Sequence, residues 1–413
     1  MKRKLLRDAV HGDIELEPLE VELIDTVEFQ RLRGIKQLGT ASLVYPTATH
    51  TRFEHSLGTS WMAARMIDSL RRSSAISADD ATAIRIAALL HDITHIPFGH
   101  TLEDERRVLP RHDKDRGRFD YFLFASPLAA RLQKSGYQEL VVRILRGEGG
   151  FASEIISGAV TADLLDYLRR DTYFVGFSQY YDARVFQSFI LENGRFVVNL
   201  EKNGMLRHDA LSELINLLRI RYTLSERVYF HHTKIASGAM ISKAVELALA
   251  AGLKAESLRT LRDETLLGSL RAGYGGHPAI GHILTCLESR RLYKPCYVLT
   301  TGIGEGRQQE IVERYHHRQR EREELEAAIG AAAGLAPHQV IVYCPSIGMS
   351  LPEAEVTVRF ENGRLMPLSG GNNEEIRVLK QKHKALWKLL VLLDRNAEDR
   401  RDRASAAAAD LMK

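Results

Sequence analysis

The 413-residue sequence predicts a mainly α-helical fold with a smaller C-terminal α+β part. Two observations carry this. Apolar residues recur at three-to-four spacing through the first 285 positions, and short β-branched runs bounded by Pro, Gly and Asn begin near Tyr293. The chain divides on this basis into a helical body, residues 1–285, an α+β region, 286–395, and a charged tail, 396–413.

In chain order, "ELIDTVEFQRLRGIKQL" reads as a helix with Asp25 as N-cap, Glu28 completing a capping box and Gly39 ending it. "SLGTSWMAARMIDSLRRSS" and "ADDATAIRIAALLHDITH" carry helical apolar spacing. "EIISGAVTADLLDYLRRDTYFVG" and "DALSELINLLRIRYTLSERVYFHHTKIASGAMISKAVELALAAG" read as two more long helices, with "GRFVVNL" a strand between them. "KPCYVLTT", "QVIVYCP", "EVTVRF" and "RLMPLS" read as strands, with a charged helix at "GRQQEIVERYHHRQREREELEAAIGAAAG". "EEIRVLKQKHKALWKLLVLL" reads as a helix, and the charged, Ala-rich end is expected to fray or extend.

Composition is that of a soluble protein, with 45% hydrophobic and 27% charged residues. A net charge of +4 disfavours a dedicated nucleic-acid binder and leaves room for a local phosphate pocket. No apolar run reaches the roughly 18 residues that a membrane span needs, and the basic N-terminal tip lacks a signal-peptide core. The three scattered cysteines, Cys286, Cys296 and Cys344, fit a reducing cytoplasm and no zinc knuckle.

The chemistry concentrates in "LLHDITHIPFGH", Leu89 to His100. His91 and Asp92 follow an apolar helix, His95 is expected on the same helix face as His91, and Pro97 is read as the stop. Burying a carboxylate beside an imidazole costs several kcal/mol unless compensated, and a cation compensates directly. "THTRFEHSLG" supplies His55 and "TADLLDYLRRD" supplies Asp163. Two imidazoles and two carboxylates make a mixed nitrogen–oxygen site for Mn, Fe, Zn, Ni or Mg with open water positions.

The order H…HD…D, within "RDAVHGDIELEPLEVELIDTVEFQRLRGIKQLGTASLVYPTATHTRFEHSLG", "LLHDITHIPFGH" and "DLLDYLRRD", resembles the HD superfamily of metal-dependent phosphohydrolases. Within it, the extended motifs resemble the deoxynucleoside triphosphate triphosphohydrolases, both the vertebrate SAM-and-HD-domain type and its bacterial relatives. The resemblance runs clearly over residues 5–300 and implies an HD-domain helical core. It implies that His55, His91, Asp92 and Asp163 hold a divalent metal. It assigns His95, Glu103 and His112 to proton transfer and its orientation, and His100 to the α-phosphate and leaving oxygen. Glu103 stands where similar enzymes have Asp.

Two helical stripes face substrate on this resemblance. Asp163, Tyr167 and Asp171 fall at i, i+4 and i+8, with Tyr167 stacking on the sugar and Asp171 binding its 3′-hydroxyl. Packing of tyrosine against the 2′ carbon excludes a 2′-hydroxyl. Arg221, Ser225 and Tyr229 form the second stripe, with Arg221 on the terminal phosphates. Gln37 and Leu38 match residues beside the sugar, and Arg52 matches a phosphate contact. Two positions depart from the pattern: Leu164 replaces an expected lysine and Ser225 an expected histidine. The pocket thereby loses up to two phosphate donors, for which Arg227, His231, His232 and Lys234 are the candidate substitutes.

The implied activity is hydrolysis of deoxynucleoside triphosphates to deoxynucleoside and tripolyphosphate. One alternative is a phosphohydrolase of mono-, di- or modified nucleotides. Another is a nucleotide-sensing or nucleic-acid-binding protein with a vestigial HD site, against which the intact His55, His91, Asp92 and Asp163 argue. The resemblance further implies a homo-oligomer, dimer or tetramer, and a GTP or dGTP activator held by Asp25, Gln30 and Arg33. A carboxylate there accepts from guanine N1 and N2, and an arginine donates to O6 and N7.

Overall fold

A computed structural model describes residues 3–348 and 350–413. It opens with an antiparallel hairpin, Lys4–Asp8 against Gly12–Leu16, which the sequence reading did not anticipate. Asp8 turns inward there and accepts the backbone N–H groups of Val10 and His11. The first helix is Pro18–Ile24. Its capping box lies at Glu17 and Glu20, earlier than expected, because Pro18 presets the first helical position. Asp25 is therefore a helix C-cap. The N-cap of the next short helix, Val27–Gln30, is Thr26, and a 3₁₀ turn replaces the rest of the expected long helix.

The body is built on the helices Arg52–Leu70, Ala78–Leu90, Ala162–Val175 and His208–Leu224. Their apolar faces meet in one core that includes Phe29, Phe53, Leu57, Leu90, Leu165, Leu168 and Leu217. Two expected long helices are each split. Gly158 interrupts the first, and Thr161 restarts it by capping Leu164 N–H. A π-type turn at Ser225–Tyr229 separates His208–Leu224 from His232–Ala250 in the second. The charged helix is likewise split, into Glu305–Val312 and Gln319–Ala333.

The C-terminal sheet is antiparallel, with Lys388–Leu393 between Lys294–Thr300 and Val340–Tyr343. The expected helix over "EEIRVLKQKHKALWKLLVLL" stops at Lys384, and "KLLVLL" is the central strand. A short continuous apolar run does not reveal by periodicity whether it is helix or strand. Here both faces are buried. Leu389, Val391 and Leu393 pack on the helices Gln319–Ala333 and Arg401–Leu411, while Leu390 and Leu392 join the core of His232–Ala250. The chain end does not fray, because Ala404 and Ala408 form a small-residue stripe buried against its neighbours.

The C-terminal region does not stay apart from the body. Thr357–Arg359 pairs in parallel with Arg195–Asn199, and Val358, Ile376 and Leu379 enter the first core. A buried charge network ties the rest: Arg106 and Arg322 to Glu246 at 2.6 and 3.0 Å, and Lys243 to Glu326 at 2.8 Å. Among the described residues, no helix is long and apolar enough to cross a membrane.

Candidate metal centre and active site

His55 lies in the first turn of Arg52–Leu70, a helix fixed by a Thr51–Glu54 capping box. His91 is the C-cap of Ala78–Leu90, and Asp163 sits in the first turn of Ala162–Val175. The crossing of these helices brings the ligand atoms together. His55 Nε2 is 2.9 Å from Asp163 Oδ1, 3.2 Å from His91 Nε2 and 3.7 Å from Asp92 Oδ2. His91 Nε2 is 3.5 Å from Asp92 Oδ1 and 3.7 Å from Asp163 Oδ1.

The Nδ1 atoms point away, to Asp166 Oδ2 at 2.7 Å for His55 and to the Ala88 carbonyl at 2.7 Å for His91. Protonated Nδ1 atoms donating to those oxygens leave both Nε2 lone pairs aimed into one cavity. Facing lone pairs beside two carboxylates suit a cation, so the donor set fits a divalent metal. In the metal-free state, burial depresses the His55 pKa, but hydrogen bonds to Asp163 and Asp166 outweigh it and raise it to about 10. Burial pushes Asp163 up, and its bonds to His55 and His91 pull it well below the usual carboxylate range.

Asp166, His11, Asp8 and Arg170 complete a buried shell that the sequence reading missed. Asp166 binds both His55 and His11, and the Arg170 guanidinium grips Asp166 and Asp8. The helices approach this closely only because residue 58 is glycine. A Cβ there would lie 1.8 Å from Asp166 Oδ1 and 2.4 Å from Arg170 Nη2.

His95 is not on the His91 helix, which ends at Leu90. Arg31, buried, donates to the carbonyls of Ile93 and His95 at 2.9 and 2.7 Å and holds the following turn. His95 thereby faces a second cluster. Its ring stacks on His112 at 3.6 Å between centroids, and His100 and His112 both place Nδ1 3.1 Å from Glu103 Oε2. Arg118, not anticipated, donates to Glu103 Oε1 at 3.1 Å. Asp92 joins the clusters, with Oδ1 3.2 Å from His95 Nε2 and Oδ2 paired to Arg52. Gly99 leaves room for this arginine, since a Cβ there would meet Arg52 Nη2 at 2.6 Å. Burial, then the Arg52 and His112 charges, hold His95 well below the usual imidazole range. Burial also lowers His112. Glu103 is pushed up by burial but held far down by bonds to His100 and His112.

The two expected stripes converge despite the break at Leu224. The Arg221 guanidinium lies over the rings of Tyr167 and Tyr229 at 5.2 and 5.0 Å. Tyr229 donates to Asp171 at 2.6 Å, and His50, unforeseen, is 2.8 Å from its other oxygen. Gln37 N–H donates to the His50 carbonyl at 3.0 Å, and the Gln37 side-chain oxygen is buried without a partner among the described residues. Leu38 is buried beside it.

Ser225 leaves the stripe, and its hydroxyl is 3.1 Å from Nε2 of His383 in Glu374–Lys384. Leu164 is part of the core. The candidate substitutes are engaged elsewhere: Lys234 with Glu105 at 3.2 Å, Arg227 over Phe177, and His231 stacked on His232. Away from this pocket, Arg33 donates to Gln30 Oε1 at 2.9 Å and covers the Phe53 ring, while Asp25 is exposed.

An HD domain model matches residues 52–171, and an HD associated region model matches residues 194–413. An uncharacterised Methanocaldococcus jannaschii protein is 31% identical over 300 residues, 70% of this chain and 59% of that one. Human deoxynucleoside triphosphate triphosphohydrolase SAMHD1 is 28% identical over 348 residues, 70% of this chain and 54% of that one. The chain thus spans little more than half the length of these curated relatives. A hypothetical Aquifex aeolicus protein of known structure superposes with a TM-score of 0.74 at 24% identity, covering 97% of this chain and 100% of its own. A Bacteroides thetaiotaomicron phosphohydrolase gives 0.72 at 24% identity, covering 95% and 100%.

Proposed function

The chain belongs to the HD-domain phosphohydrolases and carries their HD-associated region, and on that premise we propose that it hydrolyses deoxynucleoside triphosphates to deoxynucleoside and tripolyphosphate. The observation that carries this is the shared carboxylate. Asp92 stands between the metal-ligand cluster and the histidine–carboxylate cluster, 3.5 Å from His91 and 3.2 Å from His95. Phosphoester cleavage needs a nucleophile and a leaving-group proton on opposite sides of one phosphorus.

His55, His91, Asp92 and Asp163 are the residues to hold the ion. A divalent metal supplies Lewis acidity toward a phosphoryl oxygen and a nucleophile from water at neutral pH. Arg52, paired with Asp92, is the candidate phosphate contact beside it. His100, 42% exposed at its side chain, is the member of its cluster best able to meet the leaving oxygen, while Glu103 orients it and His112. Neutral His95 holds its place between Asp92 and His112. The Tyr167, Tyr229 and Asp171 wall is the sugar site, with Gln37 and Leu38 beside it. Tyr167 is the side chain that would exclude a 2′-hydroxyl.

The triphosphohydrolase activity that names SAMHD1 supports the substrate class. From the motif resemblance we further infer a homo-oligomer activated by GTP or dGTP, and the free cysteines fit a reducing cytoplasm. A second candidate, hydrolysis of mono-, di- or modified nucleotides, is favoured by Leu164 in the core and Ser225 bound to His383. The test is to incubate the protein and added Mn, Fe, Zn, Ni or Mg with each dNTP, NTP and dNMP and to identify products by phosphorus NMR. Tripolyphosphate from dNTPs is expected. Pyrophosphate or orthophosphate as first product would favour the second candidate.

A further inference from the structure

Glu353 comes from the Pro352–Glu355 turn, in the HD-associated region and outside every motif of the catalytic body. It is 3% exposed, and its Oε1 lies 3.7 Å from Nε of Arg221. Among the described residues, neither Arg221 Nε nor Glu353 Oε2 has a hydrogen-bond partner. The contact is thus an ion pair at near range without the fork geometry that makes arginine–carboxylate pairs strong. The buried carboxylate's lost hydration is offset chiefly by the Arg221 charge, with smaller help from its own backbone N–H and from Tyr167. The guanidinium meanwhile lies over the rings of Tyr167 and Tyr229.

The rest of the wall sharpens the point. Burial raises the Glu353 carboxyl, and the Arg221 charge opposes this. Leu164 and Ser225 contribute no charge there, and the nearby cations Lys234 and Arg227 are engaged elsewhere. On the proposed nucleotide reading Arg221 is the cation for a phosphate tail, and an internal anion already sits on it.

We propose that Glu353 is a specificity-determining residue: it is the resident counter-ion of Arg221, which the distal phosphates of a substrate must displace, so that it sets how strongly the pocket favours polyphosphate over short phosphate tails. The inference rests on the nucleotide reading for its substrate and on the ion pair alone for its mechanism. Phosphate oxygens offer Arg221 the two-point acceptance that Glu353 does not. A substrate without distal phosphates leaves the pair intact and is indifferent to it.

The experiment compares wild type with Glu353→Gln, which keeps shape and removes charge, and Glu353→Asp, which withdraws the carboxylate by one methylene. In Glu353→Gln, KM for a deoxynucleoside triphosphate should fall about tenfold, with kcat within about twofold and the inhibition constant of the deoxynucleoside monophosphate unmoved. Glu353→Asp should move the same way by less. In an Arg221→Lys background the Glu353→Gln effect should shrink, which a merely structural role would not produce. Inorganic tripolyphosphate, titrated calorimetrically, should bind Glu353→Gln more tightly than wild type whether or not nucleotide is turned over. Tighter tripolyphosphate binding without nucleotide hydrolysis would keep this inference and reject the substrate reading. Nucleotide hydrolysis with KM and tripolyphosphate affinity unchanged in both Glu353 variants would reject the inference alone.

Discussion

Asp166 accepts a hydrogen bond from Nδ1 of His55 at 2.7 Å, and that contact decides which nitrogen of His55 is left for a metal. The carboxylate is itself locked by Arg170 at 2.9 Å on both oxygens. The ring is thus oriented before any ion arrives, and its Nε2 is made more basic. The same arrangement recurs more simply at His91, where a backbone carbonyl holds Nδ1.

Asp166→Asn should lower metal affinity by about 10- to 100-fold without removing a ligand. An amide accepts the His55 proton less strongly and pairs poorly with Arg170. Titration of metal into chelator-treated protein measures this. Unchanged affinity in a folded variant would show that the ring orientation owes nothing to Asp166.

His91→Ala and Asp163→Ala should each abolish bound metal and hydrolysis while leaving the fold. The His91 side chain is 11% exposed and that of Asp163 35% exposed, and each sits at the end of its helix, so neither truncation opens a core cavity. Elemental analysis beside circular dichroism is the check. Full metal content in either variant would remove that residue from the ligand set.

Much of this site is legible in the sequence because helical spacing is a backbone property. Asp163, Tyr167 and Asp171 share a face whatever packs against them, and Tyr229 and Arg221 both meet that face. What depends on where a helix stops is not legible. His95 reads as helical with His91, yet the helix ends at Leu90 and Arg31 fixes the turn beyond it. Asp166 stands in the same quoted motif as Asp163, but only the crossing at Gly58 shows that it reaches His55. Glu353 and His383 come from the far end of the chain through the parallel pairing of Thr357–Arg359, which no local pattern announces. The strand Lys388–Leu393 reads as helix in the sequence because its two faces are both apolar and burial replaces alternation.

Metal binding to the metal-free protein should release protons and strengthen as pH rises. The His55 pKa is raised to about 10 without metal, and a ligand nitrogen must be unprotonated. The raised value also means that His55 stabilises the metal-free fold fully below its unfolded pKa, roughly 6.5, and loses that contribution as pH climbs toward 10. Calorimetry in buffers of different ionisation enthalpy counts the protons. A buffer-independent heat at pH 8 would contradict the prediction.

On the acid side the sign reverses. Burial lowers His316 to about 4, with its Nδ1 bonded to the Cys344 carbonyl, and lowers His95 and His112 as well. The unfolded chain then binds more protons than the native one below about 6.5. Stability present above that pH is lost as pH falls toward 4, at up to about 1.4 kcal/mol per pH unit for each such group. Denaturant melts from pH 7 to 4.5 measure the slope, and His316→Gln should flatten it. A slope identical to wild type in that variant would place the proton uptake elsewhere.

Activation by a guanine nucleotide should depend on Arg33 and leave the metal untouched. Gln30 is tied to the Ile24 carbonyl at 2.9 Å and to Arg33 at 2.9 Å, and the Arg33 guanidinium rests on Phe53, 3.5 Å from its centroid. Asp25, Val27 and Arg33 are exposed, Val27 at 69%, so this edge offers an apolar residue ringed by the polar groups a guanine would need. Phe53 lies two positions before His55 on one helix, which links the edge to the metal site through a rigid element. A nucleotide bound there raises activity only if it favours an assembled state over the free subunit. The expected result is faster dATP hydrolysis and a higher mass by light scattering when GTP or dGTP is added. Arg33→Ala should lose both effects and keep its metal content. Rates and mass that ignore every added nucleotide would reject the regulatory site and leave the catalytic assignment intact, because no ligand of the metal belongs to this edge.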